Sequence, residues 1–339
     1  MTPAAKANLK GVAFAIAAFG LFATHDVVVK TLGASYATFQ IIFFSVLFAF
    51  PLVVLMLMRD ATKGTLIPAH PWWTAGRTLA AILTGSSAFY AFSVLPLAQV
   101  YAIIFAAPLI ITVLSIPILG EKVGGHRWGA VAVGLIGVLV VLRPGVGEFG
   151  LGHLAALVAA ISGALASVIV RKIGRDERSV VLLVYPMMAN FVLMACLLPF
   201  VYRPMPIEHL GLVGLMAALA FIAGLMLIAA YKAADAAMVA PMQYSQILWA
   251  AVYGYFFFDE LPDAVTGLGA LIIIASGLYI VLREAVGGRS ETTPVLRSRS
   301  RPETGTSPRT LHRRMQGVPG RGTLRSSTRG PLAKLPPNE

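Results

Sequence analysis

LAAILTGSSAFYAFSVLPLAQVYAIIFAAPLIITVLSIPIL, residues 79–119, contains no charged side chain. As a single helix it would run roughly 60 Å at about 1.5 Å per residue, twice the roughly 30 Å of a bilayer's hydrocarbon core. It therefore reads as two membrane crossings. Pro96 marks the turn between them, because proline has no backbone N–H with which to continue a helix.

Runs of this kind recur on either side, near residues 9–29, 39–58, 72–94, 99–119, 127–142, 152–170, 180–201, 210–230, 236–258 and 265–282. Lys232 and Asp235 divide the apolar stretch from Leu210 to Phe258. The expected fold class is an all-α integral membrane protein of ten transmembrane helices. Composition agrees: 58% of the 339 residues are hydrophobic and 12% charged, against about 25% charged in soluble domains. Lys6 and Lys10 ahead of an apolar stretch resemble a signal peptide, but Leu21 before Ala23 fails the small-residue cleavage pattern, so the stretch reads as the first crossing. Cys196 lies in an apolar run and is expected to pack there.

The net charge of +12 would suit a nucleic-acid binder, but its distribution does not. Eleven Lys/Arg and four Asp/Glu put +7 after Arg283, where a Ser-, Thr-, Pro-, Gly- and Arg-rich tail, residues 285–339, is expected to be disordered. The rest sits in short loops. With ten crossings, Lys6, Lys10, Arg59, Lys63, Arg77, Lys122, Arg127, Arg171, Lys172, Arg175, Arg178, Lys232 and Arg283 fall on one side, and only Lys30, Arg143 and Arg203 on the other. The richer side is expected to be cytoplasmic, with both termini there.

The chain also repeats itself. Gly129-Ala130, Gly137 and Val141-Leu142-Arg143 recur as Gly269-Ala270, Gly277 and Val281-Leu282-Arg283 at an offset of 140, and Gly11 and Lys30 recur as Gly152 and Arg171 at an offset of 141. Gly120-Glu121 near the end of the fourth crossing matches Asp259-Glu260 near the end of the ninth. The units are placed at 9–143 and 150–284. Five crossings is an odd number, so the second unit is inverted relative to the first, the plan of many secondary transporters.

Gly145-Val146-Gly147-Glu148-Phe149-Gly150 matches the dinucleotide-binding pattern, but Pro144 precedes it and Val170 stands where the ribose-binding acid belongs. No phosphate loop, zinc-helix signature or nucleophile elbow occurs, so neither an enzyme activity nor a cofactor is expected.

Polar residues inside the crossings carry more information, since ionisable groups in hydrocarbon cost several kcal/mol and are usually paired or functional. His25 and Asp26 lie in the first crossing, and Asp26 and Lys30 are spaced i, i+4, where they can neutralise one another. This constellation reads either as a substrate or proton site or as a structural ion pair. Arg77, one turn inside the third crossing, is a coupling candidate that can instead snorkel to the headgroups. Tyr90, Gln99, Tyr101 and Tyr185 suit interfacial belts unless they converge. Small residues such as Ala130 with Gly134, and Gly214 with Ala218, are spaced for close helix packing. In the ninth crossing Gln243, Gln246, Ala250 and Tyr253 fall at i, i+3, i+7 and i+10, so one helix face carries two amides and a phenol. That face is the expected substrate site, with an interhelical hydrogen bond as the alternative.

These residues resemble the ten-helix EamA type of the drug/metabolite transporter superfamily, over about residues 9–284. The resemblance rests on Leu95-Pro96-Leu97-Ala98, Ala107-Pro108-Leu109, Leu119-Gly120-Glu121, Gly137-Val138 and Arg143-Pro144 in the first half. In the second half it rests on Ala240-Pro241, Trp249, Glu260 with Pro262, and Gly277. Asp26, Lys30 and Arg77 look like polar positions of related bacterial members, whereas Phe43-Phe44-Ser45 stands where such members carry an arginine. The resemblance implies an inner-membrane secondary carrier for a small organic metabolite, with a coupling proton or ion. A passive channel and a non-transporting receptor or scaffold are the alternatives.

Overall fold

The computed structural model describes residues 3–58, 66–121, 123–143, 149–174, 176–234 and 236–286. The tail, most of the Gly145–Gly150 pattern, and Arg59, Lys63, Lys122, Arg175 and Asp235 lie outside the described residues. The elements are α1 (Pro3–Gly33), α2 (Thr38–Met58), α3 (Pro71–Val94), α4 (Leu97–Ile104), α5 (Ala107–Leu119), α6 (Gly125–Leu142), α7 (Leu151–Ile173), α8 (Ser179–Val201), α9 (Ile207–Ala233), α10 (Ala236–Val239), α11 (Ser245–Phe258) and α12 (Ala264–Val286). A 3₁₀ turn, Ala240–Tyr244, joins α10 to α11.

Among the described residues, eight helical stretches are long and apolar enough to cross a membrane, including Leu97–Leu119 taken as one. The 24-residue α3 and the α10–α11 segment complete ten passes. Large apolar side chains such as Phe48, Leu135, Val192 and Phe256 are exposed along the passes, as side chains facing lipid are. Cys196 is also exposed, which corrects its expected packing: it sits on an outward stripe of α8 rather than in the core.

Two passes are not the continuous helices that hydropathy suggests. The fourth breaks after Ile104, where the Ala106 N–H bonds only three residues back, to Ile103, and α5 restarts with Pro108 in its first turn. The ninth breaks at Ala240–Tyr244, around Pro241. A proline supplies no N–H and is tolerated at a helix start, so each break sits where a proline opens a new helical segment.

The two halves interlock. The most extensive interhelical contacts pair α1 with α9 and α3 with α7; the first pass of each half lies on the third pass of the other. Likewise α1 meets α11 and α5 meets α7, the first pass of each half lying on the fourth of the other. The fifth and tenth passes, α6 and α12, cross at paired glycines. A Cβ added at Gly137 would lie 2.9 Å from the Gly269 carbonyl oxygen, and one added at Gly269 would lie 2.8 Å from that of Gly137. Only glycine permits this approach.

We call the face where α1 begins proximal and the face where it ends distal. At the distal face, Gln40 exchanges two hydrogen bonds with the Arg203 backbone, at 2.6 and 2.9 Å, and Tyr36 bonds His209 at 2.6 Å. At the proximal face the His70 N–H donates to Glu177 at 2.6 Å.

Candidate functional site

His25 and Asp26 are both buried in α1 at 1% exposure, so the Asp26 carboxylate needs donors from the protein. His25 Nδ1 lies 2.7 Å from Asp26 Oδ1. The Tyr101 hydroxyl, from α4, donates to Oδ2 in a short bond, and Gln246 Nε2, from α11, reaches the Tyr101 oxygen at 3.4 Å. A carboxylate with neighbours on both oxygens is a charge-assisted network, stronger per bond than neutral pairs. It also joins three passes from both halves. Tyr101 stands one turn before the break in the fourth pass, and Gln246 is the second residue after the break in the ninth. Aromatic rings wall the cluster: Phe89 meets the His25 ring edge-on at 5.8 Å, and Phe92 and Phe105 flank Tyr101 at 5.2 and 5.8 Å.

One turn on, the ion-pair alternative for Asp26 and Lys30 is not the arrangement found. Lys30 Nζ donates instead to Glu260 Oε1 and to the Leu95 carbonyl, both at 2.7 Å, and lies over the Phe258 ring. Asp26 is satisfied sideways by His25 and Tyr101, which leaves Lys30 to reach across to the second half.

The α11 face is also altered. Gln246, Ala250 and Tyr253 remain on one helix, whereas Gln243 belongs to the 3₁₀ turn and falls out of their α-helical register. Tyr253 stacks on Trp249 at 5.9 Å and receives a bond from the Thr24 hydroxyl at 3.1 Å; Trp249 packs on Gly20, where a Cβ would lie 3.2 Å from its ring. Trp249 and Tyr253 thus line α1 below Asp26.

Arg77 is not part of this cluster. It lies twelve residues before Phe89 in α3, about 18 Å along the helix axis. Nor does it fully snorkel, because its Nε and Nη1 are buried with no hydrogen-bond partner. Tyr90 and Tyr185 are exposed and do not converge on the site. Gln99 bonds His153 at 2.9 Å beside a distal cavity of about 290 Å³, which the Arg143–Asp263 ion pair also lines. Glu260 is the residue that local spacing missed. Its signal was present in the sequence, since Glu260 matches Glu121 as Lys30 matches Arg171, but only long-range packing shows which acid meets which base.

The EamA-like transporter family model matches residues 9–143 and again 150–282. The chain belongs to the EamA-like transporter family. It is a multi-pass membrane transporter, not an enzyme. An S-adenosylmethionine uptake transporter of Rickettsia prowazekii is 29% identical over 285 residues, 84% of this chain and 96% of the relative. A riboflavin transporter of Vibrio cholerae is 31% identical over 200 residues, 58% and 66% of the two chains. The pseudopaline exporter CntI of Pseudomonas aeruginosa is 24% identical over 273 residues, 78% and 94%. A solved protein structure superposes with a TM-score of 0.54 over 84% of this chain and 98% of its own, at 19% identity, a likeness of fold alone.

Proposed function

We propose that this transporter is a secondary carrier that moves a small organic metabolite across the inner membrane by alternating access, with Asp26, Tyr101 and Gln246 at its substrate or coupling site. One observation carries the reading: a buried, charge-bearing network joins the two halves at the breaks of both discontinuous passes. Broken helices at the meeting of two repeats are where carriers of this plan hold substrate and coupling ion. Asp26 supplies negative charge for an ammonium or sulfonium group or for a coupling proton. His25 orients that carboxylate, and the Trp249–Tyr253 stack offers a flat apolar wall. Lys30 and Arg77 act on the path away from this centre.

Relatives that import S-adenosylmethionine over nearly their whole length make that cation the first substrate to test, with riboflavin and amino acids beside it. The purified chain in liposomes preloaded with unlabelled substrate should accumulate labelled substrate transiently above equilibrium. Equilibration without overshoot or saturation indicates a channel, and no flux with any compound of the panel indicates a receptor or scaffold.

The basic bias of the loops supports a cytoplasmic proximal face. Gly147→Cys in a Cys196→Ala background should label with an impermeant thiol reagent added to intact cells. Labelling only after lysis contradicts this orientation.

A further inference from the structure

Both halves of the chain end their fourth pass in the same way. The helix closes with a left-handed residue, Gly120 at φ 71° and Asp259 at φ 55°. The following glutamate N–H then bonds the carbonyl six residues back, Glu121 to Ser115 at 3.4 Å and Glu260 to Gly254 at 2.9 Å. This link, made around a left-handed residue, satisfies a carbonyl of the last helical turns and fixes the direction in which each glutamate leaves its helix. Glycine adopts the left-handed state freely, and aspartate is one of the few other residues that does so readily.

From that shared turn each glutamate meets a cation near the end of the first pass of the opposite half. Glu260 Oε1 pairs with Lys30 at the distal face, and Glu121 Oε1 pairs with Arg171 at the proximal face. In both, the second carboxylate oxygen, Oε2, is buried with no hydrogen-bond partner. A backbone carbonyl is bound beside each pair as well, Leu95 by Lys30 and Ile118 by Lys172, each at 2.7 Å. The distal pair is the more open, with the Glu260 side chain 28% exposed against 7% for Glu121.

We infer that Lys30–Glu260 and Arg171–Glu121 are the distal and proximal latches of the transport path, each locking one end of the seam between the two halves and each releasing when the other is closed. The inference deepens the carrier reading above, because it says which residues set the side from which the Asp26 cluster is reached. Three features carry it. The pairs join opposite halves, so any separation of the halves at one face must break one of them. They stand at opposite faces, Lys30 near the distal end of α1 and Arg171 near the proximal end of α7. Each holds a carboxylate with one oxygen left unsatisfied, so each closed latch is incompletely bonded and loses less on opening than a fully bonded pair. Tight, fully satisfied bonds at both ends would fix the seam shut; none at all would leave both ends free to open together.

The test reads sidedness directly. A cysteine replaces Gln246 in a Cys196→Ala background, and its reaction with an impermeant thiol reagent is measured from the distal and the proximal side in oriented membranes. Glu260→Gln should raise distal labelling several-fold and lower proximal labelling. Glu121→Gln should do the reverse. Lys30→Glu combined with Glu260→Lys, which restores the pair in reversed polarity, should return distal labelling toward that of the parent. Equal gains on both sides with either variant, or no change with both, overturns the latch assignment. If a variant does not insert, the conservative Lys30→Arg and Arg171→Lys forms, which keep the pair but alter its length, must shift the same sides in the same directions; no shift in either equally overturns it. Counterflow by the parent chain, measured apart, decides the carrier reading, so the two can fail separately.

Discussion

The distal latch and the polar cluster lie one turn apart in α1, yet latches and cluster differ in symmetry. Lys30 has its counterpart in Arg171 and Glu260 has its counterpart in Glu121, down to the left-handed cap that aims each glutamate. The cluster has no such twin. At the same offsets, Ser167 stands for Asp26, Ala166 for His25, Ala240 for Tyr101 and Ala107 for Gln246. Duplication thus preserved the parts that hold and open the seam. The charge, ring and phenol of the cluster occur once. A binding centre shared by two halves needs only one set of polar groups, and a second buried carboxylate would cost several kcal/mol without a partner to satisfy it.

The largest effect should come from testing that asymmetry. Asp26→Asn keeps the shape and removes the charge, and should reduce transport roughly tenfold to a hundredfold, since a hydrogen bond to a charged group contributes about 1.5–3 kcal/mol. Moving the acid to the equivalent place in the other half, Asp26→Asn with Ser167→Asp, should not restore activity, because Ala240 brings no phenol to meet it. Uptake rates normalised to inserted protein check both. Recovery in the double variant would show that the halves are interchangeable at the site.

A smaller difference is expected between the two latches. Glu121→Gln removes the acid paired with the Arg171 guanidinium in a nearly closed environment and should cost about 3 kcal/mol. Glu260→Gln, at a more open pair, should cost about 1 kcal/mol. Detergent melting of the two variants, each against the parent, compares them, and equal losses would mean that burial does not separate the pairs.

The smallest effect lies in the scaffold. Gly269 is pressed against the Gly137 carbonyl, whereas its counterpart Gly129 has nothing within 4 Å of a built Cβ. Gly269→Ala should lower the melting point by a few degrees and Gly129→Ala should leave it nearly unchanged, because only the first forces α6 and α12 apart.

Much of this architecture was legible from residues 79–119 outward. A crossing needs about 20 apolar residues, and length alone distinguishes one pass from two. The offsets of 140 and 141 exposed the duplication for the same reason, as equivalent positions in equivalent helices keep their glycines and end cations. Hydropathy did not reveal the breaks in the fourth and ninth passes, because Phe105 and Met242 are as apolar as the helices around them; Pro108 and Pro241 were their only marks in the sequence. The partner of Lys30 was not visible because the i, i+4 rule sees only one helix, while the acid it meets stands 230 residues later. Gln246 was located by its depth in the ninth pass, since an amide far from both surfaces must bond within the protein. Its partner, Tyr101, was visible in the sequence only as one tyrosine among several near helix ends.

The central claim is that the bond from Gln246 to Tyr101 marks a ligand site rather than a brace between helices. Counterflow and detergent melting of Gln246→Leu, measured on one preparation in parallel with the parent, test it most directly. A hydrogen bond within a membrane protein contributes about 0.6–2 kcal/mol, and one at 3.4 Å belongs at the weak end of that range. The account predicts melting within about a degree or two of the parent together with abolished or altered saturable counterflow. A lowered melting point with unchanged kinetics in the surviving fraction would contradict it.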